Sequence, residues 1–236
     1  QHYVRAEKLF REAGDSRGQA DAESGLGLLL ALRSDFHGAL TRISLALRTQ
    51  EAIGDPRSAA LTRLQLKAIQ AQMDDTTAAR SSIVRALSAL RTLGDAAGEA
   101  AAMGALADLA VQERLPLEAE SLYRNALARL GVAIAPAISW RLHSGLGSVL
   151  RSRGALDEAA AELRAAAREG ERMSASVRAG ERRAAFSSDK GDVYAQLAYV
   201  EIARGNTDSA FEASERLRAR ELLDLLAQGR VTLPVR

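Results

Sequence analysis

The side chains that could catalyse a reaction or hold a metal are few in this sequence, and they do not cluster. None of the 236 residues is cysteine, which excludes thiolate nucleophiles, disulfides and cysteine-bound metal sites. The three histidines, His2, His37 and His143, lie far apart without a ligand partner at the spacing of a metal site. No serine, histidine and aspartate form a coherent group. We therefore expect no catalytic residue, no metal and no cofactor.

Two glycine motifs and two acidic pairs have structural explanations. Gly25-Leu26-Gly27 and Gly145-Leu146-Gly147 contain only part of a dinucleotide-binding fingerprint, because the third glycine is absent and no strand precedes either motif. Glycines at helix crossings explain them better. Asp74-Asp75 and Asp157-Glu158 could act as acid and base, but each lies at the start of a predicted helix, where carboxylates stabilise the helix dipole.

Most of the sequence is organised by a 40-residue repeat. Four columns recur at this interval: Leu26, Leu66, Leu106 and Leu146; Ala39, Ala79, Ala119 and Ala159; Ile43, Ile83, Tyr123 and Leu163; and Ala46, Ala86, Ala126 and Ala166. A small residue at each helix crossing allows two antiparallel helices to approach closely, and the bulky residues fill the space beside it. Because one such unit cannot bury its apolar stripe alone, neighbouring units must stack.

The repeat predicts pairs of helices. First helices are expected at 17–33, 57–73, 97–113 and 137–153, paired with second helices at 36–53, 76–93, 116–130 and 156–183, the last continuing to about Phe186. Glycine followed by aspartate ends the earlier second helices at Gly14, Gly54 and Gly94. A break at 187–192 then precedes a fifth pair, 193–204 and 208–228, in which Ala210 lies 51 residues after Ala159.

The order of these columns resembles the tetratricopeptide repeat, whose unit is about 34 residues long. The resemblance implies an all-α fold, a right-handed α-solenoid superhelix of helix-turn-helix repeats, here with a 40-residue period. We expect a single solenoid over residues 1–236. Its parts are a remnant helix of an earlier repeat (1–15), four repeats (16–55, 56–95, 96–135 and 136–186), a terminal helical pair (187–228) and an extended tail (229–236). Because the chain opens inside a second helix, we expect it to be a fragment.

Composition narrows the possible partners. Hydrophobic residues make up 47% of the chain and aromatic residues only 4%, which favours helices rich in alanine and leucine. The net charge of +2 comes from interspersed charges, so nucleic acid is not expected as a partner. No apolar run approaches the ~20 residues needed to cross a bilayer, and no membrane association is expected. Cytoplasm is the default location.

Residues 155–228 resemble the region that precedes CHAT domains, caspase-like peptidase domains that follow tetratricopeptide arrays in many bacterial proteins. The segments that carry this resemblance are 181–186, Val193-Tyr194, 210–212 and 215–226. It implies that the chain is the regulatory array of a larger peptidase. The catalytic histidine and cysteine of such a domain have no counterpart here.

The first helices of tetratricopeptide arrays line a concave groove that holds a peptide or a partner helix. The repeat places Ser24, Leu28, Leu64, Ala68, Gly104, Asp108, Ser144 and Ser148 in this groove, with Asp21, Arg141 and Arg151 toward its edges. The lysine and asparagine positions that grip a C-terminal carboxylate in chaperone-binding members are not matched. Small and apolar residues instead suit an apolar or helical segment. The alternative is that this face is ordinary solvated surface.

The last predicted helix has an apolar surface that one neighbouring helix would not cover. Leu222, Leu223, Leu225 and Leu226 spread over more than a third of its circumference. This surface predicts contact with a missing C-terminal domain, with the tail, or with a second copy of the chain. Three functions therefore stay open: a non-catalytic interaction or assembly scaffold, the regulatory array of a caspase-like peptidase, and a receptor for a short signalling peptide.

Overall fold

The computed structural model describes the backbone of residues 2–131, 135–176 and 183–227, and the side chains of 2–131, 135–173 and 192–219. Within these ranges all regular secondary structure is helical. The helices are α1 (His2–Glu12), α2 (Ser16–Leu32), α3 (Phe36–Ala52), α4 (Pro56–Gln72), α5 (Thr76–Thr92), α6 (Ala96–Gln112), α7 (Pro116–Leu130), α8 (Pro136–Ser152), α9 (Leu156–Ser176), α10 (Arg183–Ala203) and α11 (Thr207–Ala227). The extended tail and the apolar surface at Leu222 to Leu226 lie outside the described side chains.

The all-α class and the 40-residue period are confirmed. From α2 to α8 every helix begins and ends within one residue of its predicted bounds. Three of the four repeat columns are almost completely buried, from Ala39 and Ala46, both 0% exposed, to Tyr123 at 3%. The leucine column is less regular, because Leu26 and Leu106 are only half-buried. The alanines therefore do lie at helix crossings.

The largest difference between prediction and structure lies at the start of α10. The sequence predicted a break at 187–192, but these residues belong to α10, which begins at Arg183. The predicted extension of α9 through 177–182 lies outside the described residues. Serine, aspartate and glycine disfavour a helix only weakly, by about 1 kcal/mol for glycine. Burial of Val193 and Tyr194 in the following turns outweighs this cost.

The chain divides into two compact units, residues 1–109 and 110–236. In the first unit, α3 and α4 enclose a core of Ala39, Ile43, Leu66 and Ile69. A second cluster in the same unit is built around Ile83, Leu90 and Leu109. In the second unit, α8 and α9 pack as an antiparallel pair, and both contact α10. Their buried side chains include Leu146, Leu150, Leu163 and Ala166.

Aspartates cap the starts of successive helices. The carboxylates of Asp15, Asp35, Asp55 and Asp75 each accept a hydrogen bond of 2.9 to 3.1 Å from the backbone N–H three residues later. The preceding Gly14 and Gly54 take a left-handed backbone, as the Gly-Asp motif predicted. The sequence did not predict that Ser34, Asp74 and Arg114 adopt the same backbone in the turns within repeats. The aspartate caps thus define where these four helices begin, whereas α7 and α8 begin without a side-chain cap.

Replacing Asp55 with alanine is expected to lower the free energy of unfolding by about 1 kcal/mol at neutral pH, because α4 loses its cap. The hydrogen bond from the Ser58 N–H lowers the pKa of Asp55, the charges of Arg17 and Arg57 lower it further, and partial burial opposes them. A lowered folded-state pKa means that the stabilisation is complete above about pH 5. It is lost as the pH falls below about 4 through that pKa.

Urea unfolding of the parent and the Asp55→Ala variant at pH 7 and pH 3 measures this effect. The difference between the two proteins should shrink at the lower pH. Asp55→Asn is the matched control, because asparagine keeps the acceptor oxygen but does not titrate. A difference between parent and alanine variant that is the same at both pH values contradicts the prediction.

Candidate binding surface

The first helices of the first unit, α2, α4 and α6, lie side by side and are joined by polar contacts. The Ser24 hydroxyl of α2 donates a 2.5 Å hydrogen bond to Gln65 Oε1 of α4. Lys67 Nζ of α4 lies 3.4 Å from Asp108 Oδ2 of α6. The two residues of each bridge are 41 positions apart in the sequence, close to the length of one repeat. Ser24 and Asp108, both predicted to face a ligand, therefore also connect neighbouring repeats.

The predicted groove residues of the first unit differ in what they offer to a partner. Asp21, Leu28 and Ala68 are exposed, Leu28 by 41%. Leu64 is half-buried against the second core cluster. Ser24 and Gly104 are buried. Among the predicted groove residues of this unit, Leu28 is the one large apolar side chain that is exposed.

In the second unit, α8 and α10 are the neighbouring first helices. Arg141 is exposed on α8, while Ser144, Ser148 and Arg151 are half-buried. Two large apolar side chains of α10, Tyr199 and Ile202, are 60% and 65% exposed. The guanidinium carbon of Arg151 lies 5.5 Å from the centroid of the Tyr199 ring, a cation–π contact that joins the helices. We name Ser144, Ser148, Arg151, Tyr199 and Ile202 the α8–α10 patch.

Arg151 has unused hydrogen-bonding capacity. Its Nε atom is buried and has no acceptor among the described residues. The guanidinium contacts the ring of Tyr199 rather than a described carboxylate. A buried donor without an acceptor costs about 1–3 kcal/mol. The terminal N–H groups of the guanidinium, rather than the buried Nε, are the donors that an incoming oxygen atom could reach.

Tyr199 and Ile202 were not predicted to face a ligand, because the 40-residue interval does not reach them. The last repeat is offset by 51 residues, as Ala159 and Ala210 show. The same offset relates Ser148 to Tyr199 and Arg151 to Ile202. The signal that extends the candidate surface to the fifth pair was therefore present in the sequence.

An ion pair and a histidine–carboxylate contact occupy the same position in different repeats. In the first repeat, Arg42 Nη1 donates to both carboxylate oxygens of Glu23, at 2.9 and 3.0 Å. In the fourth repeat, His143 Nδ1 lies 2.6 Å from Glu162 Oε2. The sequence shows no partner of His143 at the spacing of a metal site, and the structure brings one carboxylate to it, Glu162 on the paired helix. A single carboxylate makes this a helix-joining contact rather than a metal site.

The glycines at the first-helix crossings allow close approach, as predicted. A Cβ atom on Gly27 would lie 2.6 Å from Ile43 Cγ1, and one on Gly147 would lie 2.8 Å from Leu163 Cγ. Both contacts are with the bulky repeat column of the paired second helix. These glycines therefore serve packing, and no strand or phosphate loop surrounds them in the described structure.

The described residues contain neither a candidate metal site nor a membrane-spanning helix. These residues hold no group of three histidine, cysteine, aspartate or glutamate side chains that could bind a metal. No helix in the described part of the chain combines the length and apolarity that a membrane span requires.

No protein-family model matches the sequence, and no curated protein matches it either. Several solved structures are similar in fold. BtubC (BKLC) from P. vanneervenii is 18% identical, with a TM-score of 0.75 over 100% of this chain and 93% of that one. The apo form of the quorum sensor NprR from B. thuringiensis is 14% identical, with a TM-score of 0.64 over 97% of this chain and 65% of NprR.

A third similar structure contains the nearly identical TPR-like repeats of a Podosopora anserina protein described as a putative kinesin light chain. It is 13% identical, with a TM-score of 0.59 over 85% of this chain and 94% of that one. At these identities the similarity establishes the fold alone. The chain therefore has the fold of tetratricopeptide-like repeats, arranged as successive helix-turn-helix pairs with a period of about 40 residues.

Proposed function

We propose that the chain is a non-catalytic binding module that holds a segment of another protein, and that the α8–α10 patch provides its main contact. The observation that carries this proposal is the exposure of Tyr199 and Ile202 beside Arg151. Aromatic side chains and arginine are the residues most enriched where binding energy concentrates. Large apolar side chains left in water gain the most when a partner covers them.

The neighbouring residues define the chemistry of the partner. Ser144 and Ser148 are small, so a partner backbone can approach α8 closely. Arg151 offers hydrogen-bond donors to a carbonyl or carboxylate oxygen. The partner segment should therefore present an apolar side chain to Tyr199 and Ile202 and an oxygen acceptor to Arg151. A helical or extended segment can satisfy both requirements.

Binding is a better proposal than catalysis on chemical grounds. The sequence contains no cysteine. His143, the histidine next to Ser144, is held by Glu162. A carboxylate on Nδ1 can also orient a catalytic histidine, but His143 makes no hydrogen bond to a serine hydroxyl among the described residues, so a nucleophile–base pair is missing there.

A displayed library of linear peptides tests the proposed function. Peptides selected on the parent protein should lose at least tenfold in affinity for a Tyr199→Ala/Ile202→Ser variant. Phe211→Ala is the matched control, because Phe211 is 66% exposed and lies on a second helix, α11. Its substitution should leave affinity unchanged. Selected peptides that bind all three proteins equally would place binding elsewhere and refute the role of the patch.

Two narrower functions are suggested by the sequence alone. A receptor for a short signalling peptide is one, and the likeness to the quorum sensor NprR in fold is compatible with it. Saturable binding of one short peptide, with no need for a larger folded partner, would support that receptor role. Peptides that bind only as part of a folded protein would favour the assembly scaffold.

The regulatory array of a caspase-like peptidase is the second narrower function. It rests on the resemblance of residues 155–228 to the region before CHAT domains. The reading frame that follows Arg236 tests it. A following domain with a paired histidine and cysteine would support this role, and a stop codon would remove it.

A further inference from the structure

The turn between α6 and α7 exposes three large apolar side chains. Val111, Leu115 and Leu117 are 45%, 43% and 67% exposed. The Leu115 N–H donates to the Ala110 carbonyl oxygen at 2.8 Å, so the turn is tight and keeps the three residues together. Single exposed apolar side chains need no explanation, whereas a group of them can mark a contact surface. We name Val111, Leu115 and Leu117 the turn patch.

The repeat does not require leucine at position 115. In the two preceding repeats the equivalent residues are Asp75 and Asp35, which cap their second helices. Leu115 directly precedes α7 and makes no side-chain cap hydrogen bond. Apolar side chains are among the least favourable at this position, because they leave the first N–H groups of the helix without an acceptor. Helix stability therefore does not explain Leu115.

Position 117 departs from the next repeat in a similar way. The residue equivalent to Leu117 there is Asp157, which accepts a hydrogen bond from Arg204 Nε at 2.8 Å. Arg204 lies 51 residues after Arg153, at the offset of the last repeat. Leucine cannot accept such a bond from Arg153, which contacts Glu120 of α7 instead. Both leucines of the turn patch thus occupy positions where another repeat has an acid with a hydrogen-bonding partner.

Ion pairs hold the turns of the second unit side by side. Arg153, in the turn between α8 and α9, contacts Glu120 of α7. Arg204, in the turn between α10 and α11, contacts Asp157 near the start of α9. The α8–α9 turn therefore lies between the turn patch and the end of α10, where Ile202 is exposed. The turn patch and the α8–α10 patch thus belong to one edge of this unit.

The exposed apolar side chains of the second unit concentrate on this edge. In the described part of the unit, six large ones are exposed: Val111, Leu115, Leu117, Tyr199, Ile202 and Phe211. All except Phe211 belong to the turn patch or the α8–α10 patch, and Val111 occupies the repeat position of Arg151 and Ile202. Three side chains alone are far fewer than the roughly 20–30 residues a side of a stable interface. The turn patch is therefore a continuation of the larger surface.

We propose that the partner segment held by the α8–α10 patch continues along this edge and places a second apolar side chain on the turn patch. This inference rests on the proposed function and adds a second anchor to it. The turn patch and Ile202 are two repeats apart, and neighbouring helices lie about 8–10 Å apart, so the anchors are separated by about 20 Å. An extended segment spans this distance in about six residues and a helix in about 13.

Selection of 16-residue peptides on the parent protein tests the proposal. The Leu115→Asp/Leu117→Asp variant should bind the selected peptides at least fivefold more weakly. It should also unfold at a higher urea concentration than the parent, because the first substitution restores an aspartate cap and the second places an acid beside Arg153. Misfolding would then not explain the weaker binding. Affinity equal to that of the parent overturns the proposal. A lower urea midpoint would show that the leucines serve the fold, and it overturns the proposal too.

Ser121→Asp/Asn125→Asp is the matched control for charge. Both residues are exposed on α7 beyond the turn, so this variant adds the same two charges to the same helix. It should bind the selected peptides like the parent. Equal weakening in the two double variants would indicate a general charge effect and count against the turn patch.

Shortened peptides distinguish this inference from the proposed function. Removing the residues at one end of a selected peptide should abolish its sensitivity to Leu115→Asp/Leu117→Asp, while Tyr199→Ala/Ile202→Ser still weakens its binding. If only Tyr199→Ala/Ile202→Ser weakens binding at every peptide length, the proposed function stands and the second anchor is refuted. If neither double variant weakens binding, both proposals are refuted.

Discussion

Replacing Arg42 with methionine is expected to lower the free energy of unfolding by about 3 kcal/mol. The Glu23 carboxylate is only 1% exposed, and Arg42 Nη1 contacts both of its oxygens. Removing one partner of a buried ion pair leaves an uncompensated charge, at a cost of about 3–5 kcal/mol. We expect the lower end of this range because 42% of the Arg42 side chain is exposed to solvent.

Urea unfolding followed by circular dichroism measures this loss, and two variants isolate its cause. Arg17→Met is the control, because Arg17 is 70% exposed in its pair with Asp55. Its loss should cost less than about 1 kcal/mol. In the double variant Glu23→Leu/Arg42→Met, both charges are gone, and much of the stability should return. An Arg42→Met variant as stable as the parent, to about 0.5 kcal/mol, would show that Glu23 finds another partner.

The fold could be predicted because its packing requires the same residue types at every repeat. Ala39, Ala79, Ala119 and Ala159 are all 0% exposed at equivalent crossings. A larger side chain at any of them would separate two helices, so physical chemistry holds each position small. The turns are similarly constrained, since Gly14, Gly54 and Gly94 all adopt a left-handed backbone. Periodicity detects constraints of this kind directly.

These pairs of polar side chains could not be predicted in the same way, because two residues can complement each other without being the same residue types in every repeat. Glu23 pairs with Arg42, whereas at the equivalent position His143 pairs with Glu162. The acid and the base have exchanged helices, so neither position forms a column. The partners are also 19 residues apart in sequence. Local helix patterns relate residues only three or four apart, so they do not reveal such a pair.

The candidate surface was predicted only in part for a related reason. Ligand-facing positions are not held to one residue type by packing. In the second unit, Ser148 of α8 and Tyr199 of α10 occupy equivalent positions, and so do Arg151 and Ile202. Because the last repeat is offset by 51 residues rather than 40, these positions also fall outside the 40-residue columns. Exposure and the contact between Arg151 and Tyr199 were needed to bring these side chains together.

Replacing Ala126 with leucine is expected to lower the free energy of unfolding by about 1–3 kcal/mol through overpacking. Ala126 is 0% exposed on α7, the helix that packs against α8. The same contact leaves little room for adjustment, because a Cβ atom on Gly145 of α8 would overlap the ring of Tyr123. The added leucine atoms must therefore displace a helix or force strained side-chain conformations.

Ala128→Leu is the matched control, because Ala128 lies two residues later on α7 and is exposed. It adds the same atoms at nearly the same helix propensity, so its stability should stay within about 0.5 kcal/mol of the parent. Ala119→Leu, at the other buried alanine of α7, should resemble Ala126→Leu. Urea unfolding midpoints of the three variants measure the contrast. Equal midpoints for Ala126→Leu and Ala128→Leu would mean that α7 can move away from α8 at little cost. The alanine column would then reflect helix propensity rather than the distance between helices.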